Sequence, residues 1–370
     1  MTEAKDFAAL SFTFTAGIAA GTLIFTYISE RTSGISTCYA AGQMSAILCF
    51  TAIGLAAVLK RPGLSLIMFL YLTLGVFCAS TACISGIGCG QGEGVLEIAA
   101  TGMVEKVKSM IDSIPFGSES TAPLLKALLT GDRSALSRDT VNAFRESGAS
   151  HILALSGLHL GIIYVILCKA LSFLGNAPAI KNIRSVILIS AAGFYTIATG
   201  ASASLTRAFL FILLNESARM SLRRSDPLHM MCAALMIQLT FSPQVILTPG
   251  FQLSYLAMAG IFILLPRLKS WFPDDGTGDF RTMRKIWNAA AVAISCQLFT
   301  APAAWWHFRT FPRYFLITNI LALPLTTAVM VISIATVTLY AAGFCPEFAI
   351  SVTDWTVSAL IFIVNTVSGM

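Results

Sequence analysis

Residues 314–342 read YFLITNILALPLTTAVMVISIATVTLYAA, 29 consecutive positions without one charged side chain. A helix crosses the roughly 30 Å hydrocarbon core of a bilayer with about 20 apolar residues. This run is longer than one simple span and contains Pro324, which predicts a broken or re-entrant helix. Backbone groups freed by such a break survive only inside protein or beside a water-filled cavity. Stretches of the same character fall at 7–28, 38–59, 64–84, 151–174, 184–200, 203–221, 227–246, 250–268, 286–304 and 348–368. Hydrophobic residues make up 56% of the chain and charged residues 11%, against about a quarter charged in soluble domains. The expected fold is therefore an all-α polytopic membrane protein, with about 11 transmembrane or re-entrant helices plus periplasmic amphipathic helices. The first segment, with Glu3 and Asp6 ahead of a long apolar run, reads as a retained anchor rather than a cleaved signal peptide.

Positive residues set the orientation. With the N-terminus in the cytoplasm, fourteen Lys and Arg lie at cytoplasmic ends, and the short outer loops hold only Arg31, Arg309 and Arg313. Three regions follow: a three-helix membrane segment at 1–84, a periplasmic segment at 85–150, and a core at 151–370. In the outer segment Leu96, Ala99, Met103, Val107, Met110, Ile111 and Ile114 recur at helical spacing before Pro115. They predict an amphipathic helix of about twenty residues, its stripe on the bilayer surface or the bundle. A second helix near 136–147 places Leu136, Val141 and Phe144 together and meets Gly148 as a C-cap. The segment has six basic and eight acidic residues, so it is no basic nucleic-acid patch. Cys83 and Cys89 flank the outer end of the third span, where a disulfide would persist.

Several chemistries are absent. There is no GxxxxGK[ST] loop for nucleotide, no HExxH, no paired CxxC and no GxSxG elbow. The four His (151, 159, 229 and 307) are scattered. No catalytic residue, metal or cofactor is expected, and the chain does not read as an enzyme.

Four polar groups remain. Thr130-Gly-Asp-Arg-Ser134 is a polar, Gly-containing turn beside a membrane, read as a helix connection in which Asp132 or Ser134 caps the next helix. His151-Ile-Leu-Ala-Leu-Ser-Gly-Leu-His-Leu-Gly161 stands at the mouth of a span. Ser156 and His159 share a helix face, and Gly157 with Gly161 forms a GxxxG packing seam. The alternative there is a locally broken helix lining a passage. In Gly200-Ala-Ser-Ala-Ser-Leu-Thr-Arg207, the small residues including Ser204 admit close backbone approach. Arg207, one turn inside its span, is a functional candidate unless it snorkels. Phe251-Gln-Leu-Ser-Tyr255 and the segment from Gln297 to His307 place Gln252 and Gln297 in apolar surroundings where each needs a partner. Trp305, Trp306 and His307 read as an interfacial aromatic belt.

The block Thr130–Ser134, Phe144, Gly148 and His151–Gly161 resembles the signature of ComEC-type competence proteins. Later blocks keep that family's order: Ser204–Ala208, Asp226-Pro227, Phe251–Tyr255, Gln297 with Pro302, and Asn319 with Pro324. The resemblance covers roughly residues 120–340. It implies an inner-membrane channel passing single-stranded DNA from periplasm to cytoplasm in natural transformation. A periplasmic DNA receptor and a cytoplasmic motor or single-strand-binding protein would be its partners, and monomer or homodimer stays open. The matching positions are Asp132, Arg133, His151, Ser156, Gly157, His159, Gly161, Ser204, Arg207, Gln252 and Gln297. On this reading Arg207 meets phosphate, and Phe251 or Tyr255 stacks on bases. The chain departs from that family in showing no strand-rich outer domain and no HxHxDH, so it reads as a core-only form. Rival readings are a secondary transporter for a small anion and, more remotely, an intramembrane serine hydrolase using Ser156 and His159.

Overall fold

A computed structural model describes residues 2–31, 43–49, 51, 53, 64–88, 95–175, 177–222, 226–271, 281–309 and 315–369. Among them every regular element is helical and no strand occurs. Seven helical stretches are long and apolar enough to cross a membrane: 6–27, 64–83, 157–174, 249–270, 283–308, 315–341 and 347–368. Three of the other expected spans correspond to shorter or more polar helices. The remaining one, at 38–59, falls largely outside the described residues, as does Cys89 and with it the disulfide expectation. The chain is a polytopic α-helical membrane protein, and it divides into two compact units.

The first unit takes in residues 1–92 and 210–255. Its frame is α1 (Thr2–Arg31) against α2 (Leu64–Gly88). Small residues let these two backbones meet: a Cβ added at Gly17 would overlap the carbonyl of Leu72, and one at Gly75 that of Phe14. At Gly21 the added atom would come 2.8 Å from the Ala79 methyl. Lipid offers no hydrophobic force between helices, so such close approach is how van der Waals contact and association are gained. Phe14 and Ile18 are fully buried. The same unit holds α10 (Pro227–Phe241), which starts at a Pro behind an N-cap Asp226 whose carboxylate accepts from Leu228 N–H. It also holds the C-terminal part of α9 (Ala203–Met220) and the start of α11 (Pro249–Ile263).

The second unit comprises 93–209 and 256–370. It contains α3 (Val95–Ser113), α4 (Thr121–Thr130), α5 (Arg138–Glu146), α6 (Ser150–Leu153), α7 (Gly157–Ala170) and α8 (Pro178–Ala198). It also contains the first turns of α9 and the rest of α11, followed by α12 (Leu265–Ser270), α13 (Arg281–Phe308), α14 (Phe315–Ala341) and α15 (Glu347–Ser368). Its core joins Leu124, Leu125 and Leu128 of α4 and Phe144 of α5 to Val329 and Met330 of α14 and Leu360 of α15.

Some expectations meet corrections. The long helix α14 passes Pro324 without interruption, so it is neither broken nor re-entrant. The C-terminal half of the expected stripe of α3 is turned inward, with Val107 and Met110 half-buried and Ile111 and Ile114 buried, whereas Ala99 and Met103 are exposed and Ala100 is buried in their place. Val141 is likewise exposed while Phe144 fills the core. Gly148 does end α5, with φ +80° and its N–H on Arg145 O at 3.2 Å.

Candidate functional site

The turn after α4 follows from Gly131. Its φ of +82° is a left-handed conformation that an L side chain resists, and its N–H returns to Ala127 O at 3.1 Å to close the helix. A Cβ there would also come 2.6 Å from Leu155 Cδ1. Asp132 then accepts from Ser134 N–H at 3.0 Å and pairs with Lys108 Nζ at 2.8 Å. The cap of α5 is instead Ser137, so Asp132 and Ser134 cap no helix. Lys108 beside it, and then the Ser134 bonds, hold the Asp132 carboxyl well below the usual carboxylate range. Asp132 and then Glu105 raise Lys108 in turn. Arg133 Nε donates to Leu153 O at 3.0 Å, tying this turn to the end of α6.

Between α6 and α7 the helix is broken. Ala154 and Ser156 are extended, with ψ of 132° and 171°. His151 is exposed at this break, its Nδ1 3.2 Å from Gly148 O. Ser156 caps α7: its Oγ accepts from Leu158 N–H at 3.3 Å. His159 takes the place usually held by Glu or Gln in a capping box, its Nδ1 accepting the Ser156 N–H at 3.2 Å. That bond assigns the ring proton to Nε2 in the neutral form, and Nε2 is buried without a hydrogen-bond partner. Ser156 Oγ also stands 3.0 Å from Nδ1.

Arg207 comes from the N-terminal turns of α9, just beyond Gly200. The turn before it is a Schellman motif: Gly200 N–H returns to Ile197 O at 3.0 Å and Ala201 N–H to Thr196 O at 2.8 Å. Arg207 lies against α7 at Gly157. A Cβ at 157 would come 3.3 Å from Ala208 Cβ and 3.6 Å from Arg207 Nη2. Gly161, the second glycine of the expected seam, has nothing within 4 Å of such an atom, so the close approach is confined to Gly157.

The remaining expected residues fall on three other stretches of helix. Ser204 is half-buried on the first turn of α9, and Gln297 is half-buried on α13. In the first unit Phe251 and Tyr255 are buried and lie ring to ring, centroids 4.6 Å apart. Tyr255 OH donates to Gln238 Oε1 at 3.0 Å, and Gln252 Nε2 donates to Ile246 O at 2.9 Å. The two buried rings are tilted against each other inside the unit.

Three charged residues escaped the sequence reading. Lys108 is the partner of Asp132. Glu216, 2% exposed, pairs with Arg219 at 3.0 Å. Asp354 lies inside the span of α15 and accepts from Gly117 N–H and the Thr121 hydroxyl, both at 2.6 Å. A charge within an apolar span was the available signal in the last two cases.

A polytopic helical protein with a broken helix, a capped helix N-terminus and an arginine beside that turn is thereby defined. The family model described as Competence protein matches residues 128–370, and the chain belongs to that family. It is 25% identical over 205 residues to ComE operon protein 3 of Bacillus subtilis (strain 168), a match covering 55% of this chain. The chain spans about a quarter (24%) of that curated relative's length. No solved structure matches it significantly.

Proposed function

We propose that this protein carries single-stranded DNA across the bacterial inner membrane, from periplasm to cytoplasm, in natural transformation. The family match and the likeness to ComE operon protein 3 support the competence setting. The observation that carries the DNA reading is Arg207 seated against Gly157 at the first turn of α7. A helix N-terminus carries a partial positive charge, and a guanidinium is suited to bidentate phosphate contact. Together they favour an anion at the place where the break between α6 and α7 opens the helix. The orphan Nε2–H of His159 is a further donor in that turn.

The Ser156–His159 contact is assigned to capping rather than hydrolysis. Nδ1 already receives a backbone N–H, Ser156 Oγ already receives Leu158 N–H, and Nε2 has no carboxylate to orient it. Labelling of Ser156 by a fluorophosphonate would overturn that assignment.

An inside-negative potential opposes entry of each phosphate by ~2.3 kcal/mol per 100 mV. A cytoplasmic motor or single-strand-binding protein is therefore expected to pull, and a periplasmic receptor to deliver the strand. The test is transformation frequency in the native host at matched membrane levels. Deletion and Arg207→Ala should abolish entry into the cytoplasm while DNA still accumulates outside it, and Arg207→Lys should recover part of it. If deletion leaves transformation intact, a small anion becomes the better cargo. Uptake of labelled phosphate by proteoliposomes, with oligonucleotide as competitor, would then decide.

A further inference from the structure

Helices α3 and α4 run antiparallel, tied by Asp112–Lys126 at 2.7 Å and Lys108–Asp132 at 2.8 Å. The turn between them is held at the α14–α15 hairpin. Tyr340 OH donates to Ser113 O at 2.9 Å, and both oxygens of Asp354 accept from the turn, from Gly117 N–H and from the Thr121 hydroxyl. Farther along the chain, the Thr318 hydroxyl donates to Ser147 O at 2.6 Å. Thr318 and Tyr340 lie 22 positions apart on one helix, about 33 Å at 1.5 Å per residue, close to the ~30 Å of a hydrocarbon core. The chain from 113 to 147 therefore follows α14 through its whole depth. It does so with Leu124, Leu125 and Leu128 fully buried in the core shared with α14 and α15.

We propose that α3–α4 is a hairpin inserted into the bundle alongside α14 and α15. Its tip stands at the same membrane side as the α14–α15 turn, and Asp354 is the positioning residue that holds it there. A carboxylate inside a span needs partners, and this one has two from the hairpin. Through α4 the fixed tip sets the height of the Asp132–Arg133 turn. That turn grips Leu153 O three residues before the Ser156 cap. The consequence for uptake rests on the passage reading above, whereas the placement of the hairpin does not.

Two measurements on the full chain in sealed membrane vesicles test this with a membrane-impermeant maleimide, against the parent's background labelling. Glu119 and Phe344 are both exposed. E119C and F344C should label from the same side, and labelling from opposite sides overturns the hairpin. At the half-buried Ser118, S118C should label about tenfold faster or more once a charge-assisted bond is lost in D354N or T121V. T121S, which keeps the hydroxyl, should restore the parent rate even if D354N accumulates poorly. Equal rates in T121V and T121S overturn the role of Asp354. Transformation should fall with T121V and recover with T121S. Normal transformation despite faster labelling would remove the tip from uptake while leaving Arg207 untouched.

Discussion

In the α1–α2 pair the two backbones touch directly, with Gly17 against Leu72 and Gly75 against Phe14. In α3–α4 and the α14–α15 pair beside it, contact is made by side chains. Leucines fill the interior, and hydroxyl, carboxylate and ammonium groups join segments as far apart as Gly117 and Asp354. The first arrangement gains stability from shape alone and tolerates no added atom. The second combines an apolar core with directional bonds, each replaceable at modest cost. A seam of the first kind suits a fixed frame, and a pinned hairpin suits a part whose position must be set.

The contrast is broken most severely at Gly17. Gly17→Val places branched methyls against main chain that cannot turn aside, and should cost about 3 kcal/mol. In detergent this would appear as a large fall in the thermal midpoint or loss of folded protein. Gly102→Ala, where an added Cβ meets nothing within 4 Å, should by contrast be neutral or stabilising by up to about 1 kcal/mol. If both variants melt alike, the seam is not the close contact described.

Gly131→Ala probes the pinned region at its most constrained point. A left-handed backbone and the approach of Leu155 together should cost about 1–2 kcal/mol, read as a shift in the same midpoint. Ser156→Ala removes a helix cap, about 1 kcal/mol. Ser156→Asp, which retains a capping oxygen, should return most of that, and no recovery would count against the capping role.

The smallest effect belongs to the Lys108–Asp132 pair. Asp132→Asn should cost no more than about 1 kcal/mol, since the pair is partly exposed. Its pH dependence follows from the two shifts. Asp132 is depressed, so its contribution is present above the ordinary carboxylate pKa and is lost only as pH falls through the lowered value. Lys108 is raised, so its contribution is complete below the ordinary lysine pKa and is lost as pH rises through the raised one. Between about pH 5 and about pH 9 the difference between wild type and Asp132→Asn should stay flat. A slope across that window would point to another titrating partner.

Much of the candidate site was legible because its signals are local. The break at 154–156, the close approach at Gly157 and the end of α5 at Gly148 all follow from residues within one turn of each other, whereas Ser156, read on the face of a helix with His159, turned out to cap one. Pro324 misled because a proline inside a long apolar helix need not end it when packing on both sides holds the helix together. Phe251 and Tyr255 suggested base stacking by type, yet they sit one turn apart on α11, buried and tilted against each other. Asp354 was missed although the rule that singled out Arg207, a charge inside a span, applies to it equally.

Composition and run length established that the chain enters the membrane as helices, because the cost of transferring each residue from water to lipid sums along the sequence whatever its neighbours in space. They could not say which helices meet. Lipid tails are as apolar as leucine, so hydrophobicity ranks no partner above another. The choice falls to glycines that admit a backbone and to hydrogen bonds such as Thr121–Asp354 and Ser147–Thr318, whose members stand 233 and 171 positions apart. Those pairings exist only once the chain is folded, and Thr121–Asp354 is what holds the hairpin tip to α15.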